Sequence, residues 1–409
     1  MVKLLATRAL CLPLCTPAAL QALRSRAACS LTRCSLTITK FAQVRASSGD
    51  SSSMAQSEGG ALRVGIIGAG GNTKLRHIPE LLGIPGVKLA TVCNRTIGSS
   101  QAVAAAFGIP GATADWRSVV ADPEIDAIVI GTWPYMHAPL AIAALEAGKH
   151  VLCEARMAMD AGEARAMLAV SRRRPHLVAQ LVPSPVTLPW DAAVQEIIRS
   201  GKLGALTYIT VRGVSRSFPD APGAPLHWRQ NADLSGLNIL TMGIFYEALQ
   251  RWVGDAKRVV AMTKTVVGLR LHPDTAALTG VRVPDHVDIL AEMACGAQAH
   301  LVFSAVTGAA SEPGSEFWLY GTDGTLHLDV DNGQLSLALK SEGGQLKPVD
   351  VPHEHRGFWR VEQEWVNAIR GREAVHLTDF ATGVRYMEFT EAVTRSAQSG
   401  QAVSLPLLV

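Results

Sequence analysis

The clearest signal in the first half of the chain is a repeated switch between unbroken apolar runs and helix-forming stretches. Residues 62–67 (Leu-Arg-Val-Gly-Ile-Ile) form such a run, ending in Gly68-Ala69-Gly70-Gly71. A run without alternation suits a parallel strand buried on both faces. A helix is predicted over 73–83 and a strand over 87–93. Residues 98–107 are helix-forming, and 126–131 read as another buried strand. An Ala-rich helix over 137–147 stops at Gly148, where a left-handed residue is favoured. A strand over 150–154, a helix over 160–173 and a strand over 177–181 complete the series. This βαβ spacing predicts a doubly wound parallel sheet.

The texture changes after Pro183, Pro185 and Pro189. A helix over 191–200 stops at Gly201, and from 205–213 and 257–340 the apolar residues alternate with polar ones. Val287, Ile289, Ala291, Met293 and Cys295 share one parity, and Asp288 and Glu292 the other. That pattern predicts an antiparallel sheet with one covered and one more open face. Helices return at 358–370 and 379–398. The expected class is α/β: a Rossmann domain over 61–183, then an α+β domain over 184–409 with a large, open-faced, mainly antiparallel sheet, whose final helices could pack back on the first domain.

Composition sharpens this picture at the N-terminus. The chain has 409 residues and a formal net charge of +3. Residues 1–49 carry seven basic residues and no acid, whereas 61–409 carry 31 basic and 33 acidic residues. The slightly acidic body gives no reason to expect a nucleic-acid partner. No apolar stretch is long enough to suggest a membrane span. The Arg- and Ser-rich first 60 residues read as an organelle transit peptide and linker, with chloroplast favoured over mitochondrion and cleavage expected between 46 and 60. Four of seven cysteines fall in that leader, and Cys93, Cys153 and Cys295 in the body read as buried free thiols.

Gly68, Gly70 and Gly71 stand where a Rossmann strand meets its first helix, a turn that lets a pyrophosphate approach a helix N-terminus. The usual third glycine is replaced by Thr73. The tip of the second strand reads Cys93-Asn94-Arg95-Thr96 and holds no carboxylate. Arg95 suits a phosphate, so NADP is expected over NAD, with NAD possible.

Gly68-x-Gly70, then Gly131-Thr132-Trp133-Pro134-x-x-His137, then residues 146–154 (Glu-Ala-Gly-Lys-His-Val-Leu-Cys-Glu) together resemble the Gfo/Idh/MocA oxidoreductase family. Residues 320–326 (Tyr-Gly-Thr-Asp-Gly-Thr-Leu) and Arg395-Ser396-Ala397-x-x-Gly400 are similar to its later motifs. The resemblance implies hydride exchange between a nicotinamide and a sugar or cyclitol carbon, and a homo-dimer or tetramer. It places Gly68, Gly70 and Gly71 at the pyrophosphate, Asn94 and Arg95 near the adenosine ribose, Thr132, Pro134 and His137 along the cofactor, and Glu154 at the nicotinamide end.

The chain departs from that pattern where proton chemistry is expected. The family's Glu-Lys-Pro reads Glu154-Ala155-Arg156, and its Asp and Gly-x-His read Thr241 and Gly243-Ile244-Phe245. Alanine and phenylalanine cannot titrate, and arginine is an anchor for anions rather than a proton shuttle. Arg156, Tyr246, Glu247 and His227 are the candidate replacements. His353-Glu354-His355 reads as a polar loop, with no metal expected. Three readings remain open: an oxidoreductase with an altered proton relay acting on a sugar, polyol or acidic derivative; a nucleotide-binding pseudoenzyme or sensor; and a lyase or hydrolase using NAD transiently.

Overall fold

The computed structural model describes residues 60–215, 223–307 and 314–408. The leader therefore lies outside the described residues. Six parallel strands make the first sheet: β1 (Leu62–Ile67), β2 (Val87–Cys93), β3 (Gly111–Thr113), β4 (Ala127–Ile130), β5 (His150–Cys153) and β6 (Ala179–Leu181). Their order is β3-β2-β1-β4-β5-β6. The order reverses between β1 and β4, so the carboxyl ends of these two strands open a crevice. β4 is buried along its whole length, as its unbroken Ala-Ile-Val-Ile predicts.

A wide π-type turn (Thr73–His77) leads into α1 (Ile78–Gly83). Next come α2 (Ile97–Phe107), α3 (Trp116–Ala121), α4 (His137–Glu146) and α5 (Ala161–Arg173). Asp160 caps α5 by accepting from the Glu163 amide at 2.9 Å, a contact worth about 1 kcal/mol. The sequence reading misses β3 and α3. β3 has only three residues, Gly-Ala-Thr, and so carries no apolar run to recognise.

After α6 (Asp191–Arg199) the chain builds the second sheet from β7 (Leu206–Val214). The short α7 (Ala232–Ser235) and α8 (Met242–Val253) follow. Then come β8 (Ala256–Lys264), the small hairpin β9 (Leu269–Leu271) and β10 (Leu278–Gly280), β11 (His286–Met293), β12 (Gln298–Ser304), β13 (Ser315–Gly321), β14 (Gly324–Asp329), β15 (Gln334–Leu339) and β16 (Lys347–Pro348). α9 (Val361–Ile369), α10 (Phe380–Ser399) and β17 (Val403–Ser404) end the fold. The sheet order is β16-β15-β14-β13-β7-β12-β11-β8-β17. All its pairs are antiparallel except β7 with β12. The β11 alternation holds, with Val287, Ile289, Ala291 and Met293 inward. Cys295 breaks the expected parity: it sits exposed in the turn after β11, whereas Cys93 and Cys153 are buried.

Helix α8 covers the inner face of this sheet, and α10 packs on both α8 and α5. Tyr386 on α10 accepts from the Met157 amide at 2.5 Å, and Glu391 from the Ala161 amide at 3.0 Å. These bonds tie the last helix to the segment that follows β5.

Candidate dinucleotide and substrate site

The glycine turn is built by close packing. Gly68 has φ +92°, and a Cβ there would lie 2.5 Å from the Thr132 amide nitrogen. Gly131 accommodates the residue that replaces the usual third glycine: a Cβ on Gly131 would meet Thr73 Oγ1 at 2.1 Å. The Thr73 hydroxyl instead donates to the Gly68 carbonyl at 3.0 Å. The strand tip is tied to the turn through Asn94, whose Oδ1 accepts from the Ala69 amide at 2.8 Å and whose Nδ2 donates to Ser99 Oγ at 3.0 Å.

These elements enclose a cleft of about 360 Å³. Gly68, Gly70, Asn94, Arg95, Thr132, Trp133 and Tyr135 line it. Arg95 is exposed, with its guanidinium 5.0 Å from the centre of the Trp133 ring. Trp133 stacks on Trp228 at 5.7 Å and 14°, and Arg229 lies 4.1 Å over Trp228. The result is a cation–aromatic–aromatic–cation pile joining the strand-tip loop to the segment before α7.

Not every residue expected at the cofactor lines this cleft. Gly71 is exposed beyond it, and Pro134 is buried in a short 3-10 turn. His137 is fully buried. Its two ring nitrogens face the Arg156 carbonyl at 2.9 Å and the Thr132 carbonyl at 3.0 Å. Burial holds this ring below the usual histidine range against those two contacts. His137 thus clamps the cleft wall to the loop after β5 and is corrected from a lining residue to a positioning one.

Glu154 opens that loop. One carboxylate oxygen lies 3.0 Å from His77 Nε2 and also accepts from Asn72, and the other accepts from the Ala155 amide at 3.2 Å. The second His77 nitrogen bonds Glu362, which also accepts from Trp359 Nε1 at 2.8 Å. His77 is therefore buried between two carboxylates. Burial alone would lower its pKa, but the bonds to Glu154 and Glu362 outweigh that and push it up to about 9. Burial works to raise the Glu154 pKa, and His77 and Asn72 reverse the sign, holding it low.

Arg156 follows, buried, with the Ala155–Arg156 peptide cis. Its side chain runs along the first turn of α8, where a Cβ on Gly243 would lie 3.1 Å from its Cδ. Burial, with Arg229 nearby, brings its pKa down to about 9. His227 stands half-buried one residue before Trp228. Its Nδ1 accepts from the Arg229 amide at 3.2 Å, which leaves Nε2 to carry the proton of the neutral ring. Burial and then Arg229 lower its pKa.

Tyr246 and Glu247 are corrections. Tyr246 stacks on Phe389 at 3.6 Å, its hydroxyl accepts from the Ala256 amide at 2.8 Å, and burial pushes the phenol up. Glu247 accepts from the Ser184 amide, the Thr378 hydroxyl at 2.6 Å and Arg251 at 2.9 Å. Both residues bind core elements together. Phe245 lies stacked on Phe317 at 5.6 Å, also inward. Among the residues missed from sequence, Trp133 and Arg229 stand beside ones that were singled out. His77 and Glu362 are far apart in the chain, with no local pattern linking them.

Residues 62–180 match the family described as "Oxidoreductase family, NAD-binding Rossmann fold", and residues 192–327 match the Gfo/Idh/MocA C-terminal domain. The chain belongs to the Gfo/Idh/MocA oxidoreductase family. Its relatives include an uncharacterised oxidoreductase of Rhizobium meliloti, 29% identical over 49% of this chain and 59% of that protein. Levoglucosan dehydrogenase of Pseudarthrobacter phenanthrenivorans is 29% identical over 51% of each chain. The chain thus spans little more than half the length of these two Gfo/Idh/MocA relatives. A dTDP-3,4-didehydro-2,6-dideoxy-alpha-D-glucose 3-reductase of Streptomyces antibioticus is 27% identical over 82% of this chain and 97% of its own. A solved levoglucosan dehydrogenase, in complex with NADH and L-sorbose, superposes with a TM-score of 0.75 at 22% identity, covering 85% of this chain and all of that one. That likeness shows the family fold.

Proposed function

We propose that this Gfo/Idh/MocA member exchanges hydride between a nicotinamide dinucleotide and a hydroxyl or carbonyl carbon of a sugar- or polyol-like substrate, by a proton route unlike the family's usual one. The observation that carries the reading is the cleft at the β1/β4 switch point, walled by Gly68 against Thr132 and bounded by the β2 tip. It fits a dinucleotide: the Thr132 hydroxyl is buried there with no partner among the described residues, a donor that a ligand in the cleft would satisfy. Relatives named for sugar chemistry, and neighbours solved with NADH, support the same reading. When bound, the nicotinamide supplies the hydride donor or acceptor.

The residues of this chain supply binding and proton handling. Ala155, Thr241 and Phe245 occupy the positions where the family pattern has Lys, Asp and His, and Phe245 is committed to the core. The titratable groups left at this end are Glu154, backed by His77, and His227. We assign Glu154 to accept the hydroxyl proton, with His77 fixing its orientation and charge. NADP is favoured over NAD because the β2 tip presents exposed Arg95 and no carboxylate.

Two further parts of the reading concern the whole protein. Tyr208, Val260, Met262 and Leu290 are exposed on the open face of the second sheet, which supports a homo-dimer or tetramer formed through that face. The acid-free, Arg- and Ser-rich first 49 residues support delivery to an organelle, chloroplast before mitochondrion. Sequencing the native N-terminus tests this: a start between 46 and 60 is expected, and Met1 would contradict it.

Titration with NADPH and NADH, followed by energy transfer from tryptophan to the nicotinamide, tests the functional reading. Saturable binding of both with NADPH tighter is expected. Absence of both signals contradicts dinucleotide binding, and tighter NADH contradicts the role of Arg95.

A further inference from the structure

Arg156 is a buried arginine of the site whose charge no carboxylate among the described residues answers. It is 3% exposed, and its Nε and Nη2 are buried with no hydrogen-bond partner among the described residues. Those two nitrogens form one edge of the guanidinium, the fork that takes a carboxylate or phosphate side-on. Burial and then a charge of the same sign, Arg229, lower the Arg156 pKa. Among the described residues no carboxylate lies within ion-pair distance of either guanidinium. Arg156 still keeps its proton at neutral pH, since about 9 lies well above 7.

The neighbouring backbone is of the same polarity. Arg156 passes along the first turn of α8, a helix of 12 residues whose N-cap, Thr241, makes no side-chain cap bond. The Met242 and Ile244 amides of that turn donate to the Ile239 and Thr241 carbonyls, and the helix N-terminus still favours a negative group through its dipole. An isolated buried charge is costly unless something pairs with it. Arg156 thus presents an unpaired bidentate fork beside the first turn of α8, with a second guanidinium, Arg229, within electrostatic reach.

We propose that the substrate carries an anionic group, a carboxylate or a phosphate, held side-on by Arg156 Nε and Nη2 with Arg229 at the mouth. This rests on the oxidoreductase reading for its site, and it narrows the substrate from sugars and polyols at large to their acidic derivatives. The same fork could instead take a phosphate of the dinucleotide, and the test separates the two sources.

The test uses the full chain, with and without saturating NADPH, at fixed ionic strength. Acetate is compared with acetamide, and D-glucuronate with D-glucuronamide, by calorimetric titration and by thermal unfolding. Each anion is expected to bind at least about tenfold more tightly than its neutral amide, and to raise the unfolding temperature. Arg156→Met should abolish that discrimination, raise the unfolding temperature of the unliganded chain and leave NADPH affinity unchanged. Arg156→Lys, which keeps the charge but loses the fork, should retain only part of the discrimination.

Equal binding of acid and amide to the wild type overturns the proposal. So does discrimination that persists in Arg156→Met. Loss of NADPH affinity in Arg156→Met assigns the fork to the dinucleotide and also overturns it. Failure of the wild type to bind NADPH removes the functional reading instead, while the acetate arm without dinucleotide still decides whether Arg156 binds anions.

Discussion

At neutral pH His77 carries a proton that burial alone would remove. Glu154 and Glu362 hold it there, raising the pKa from 6.5 to about 9. A group whose folded pKa is raised contributes stability that is fully present below about 6.5 and is lost as pH rises through about 9. The shift corresponds to roughly 3 kcal/mol. We therefore expect thermal stability to fall between pH 6.5 and 9, and His77→Gln to flatten that profile. A wild-type profile level across this range would contradict the charge assignment. Tyr246 offers the opposite case. Its hydroxyl satisfies the Ala256 amide inside the core, so Tyr246→Phe should cost about 1–3 kcal/mol in chemical denaturation and leave any hydride-transfer rate unchanged. A rate loss without a stability loss would return Tyr246 to the site.

Elements show why some of this was legible and some was not. β1, β4 and β5 announce themselves because strands buried on both faces are largely apolar. The glycine turn follows from its place after β1. Helix α8 is different. Ten of its 12 residues are buried, since it lies between the second sheet and α10, so it has no polar stripe from which to read its faces. Tyr246 and Glu247 therefore looked available from sequence although both point into packed surroundings. The Glu154–His77–Glu362 chain joins β5, the first turn after β1 and α9, a meeting that only tertiary structure reveals. The packing of the glycine turn gives a sharp expectation. Gly68→Ala puts a methyl group 2.5 Å from the Thr132 amide at φ +92°. It should lower stability by about 1–3 kcal/mol and abolish dinucleotide binding in the titration. A variant that folds and binds NADPH normally would mean that the cleft does not hold the pyrophosphate.

For the whole molecule, a parallel first sheet and a mainly antiparallel second sheet match the expected fold class, with α9 and α10 docked on the first sheet's helices while the second sheet keeps an open face. On that face Tyr208 and Tyr320 stack at 5.6 Å and Trp318 lies 3.8 Å from His327. If this face joins copies of the chain, Met262→Glu together with Leu290→Glu should shift the sedimentation coefficient to that of a monomer. An unchanged coefficient would place the interface elsewhere. The basic excess lies in the first 49 residues, and residues 61–409 are slightly acidic. Whether the site turns over is the claim on which the others depend. The direct measurement is absorbance at the reduced-nicotinamide band, with NADP and NAD, against a panel of sugars, polyols and their acidic derivatives. The account predicts cofactor reduction with at least one acidic member, faster with NADP, and its loss in Glu154→Gln. Dinucleotide that binds but stays unchanged across the whole panel would contradict it.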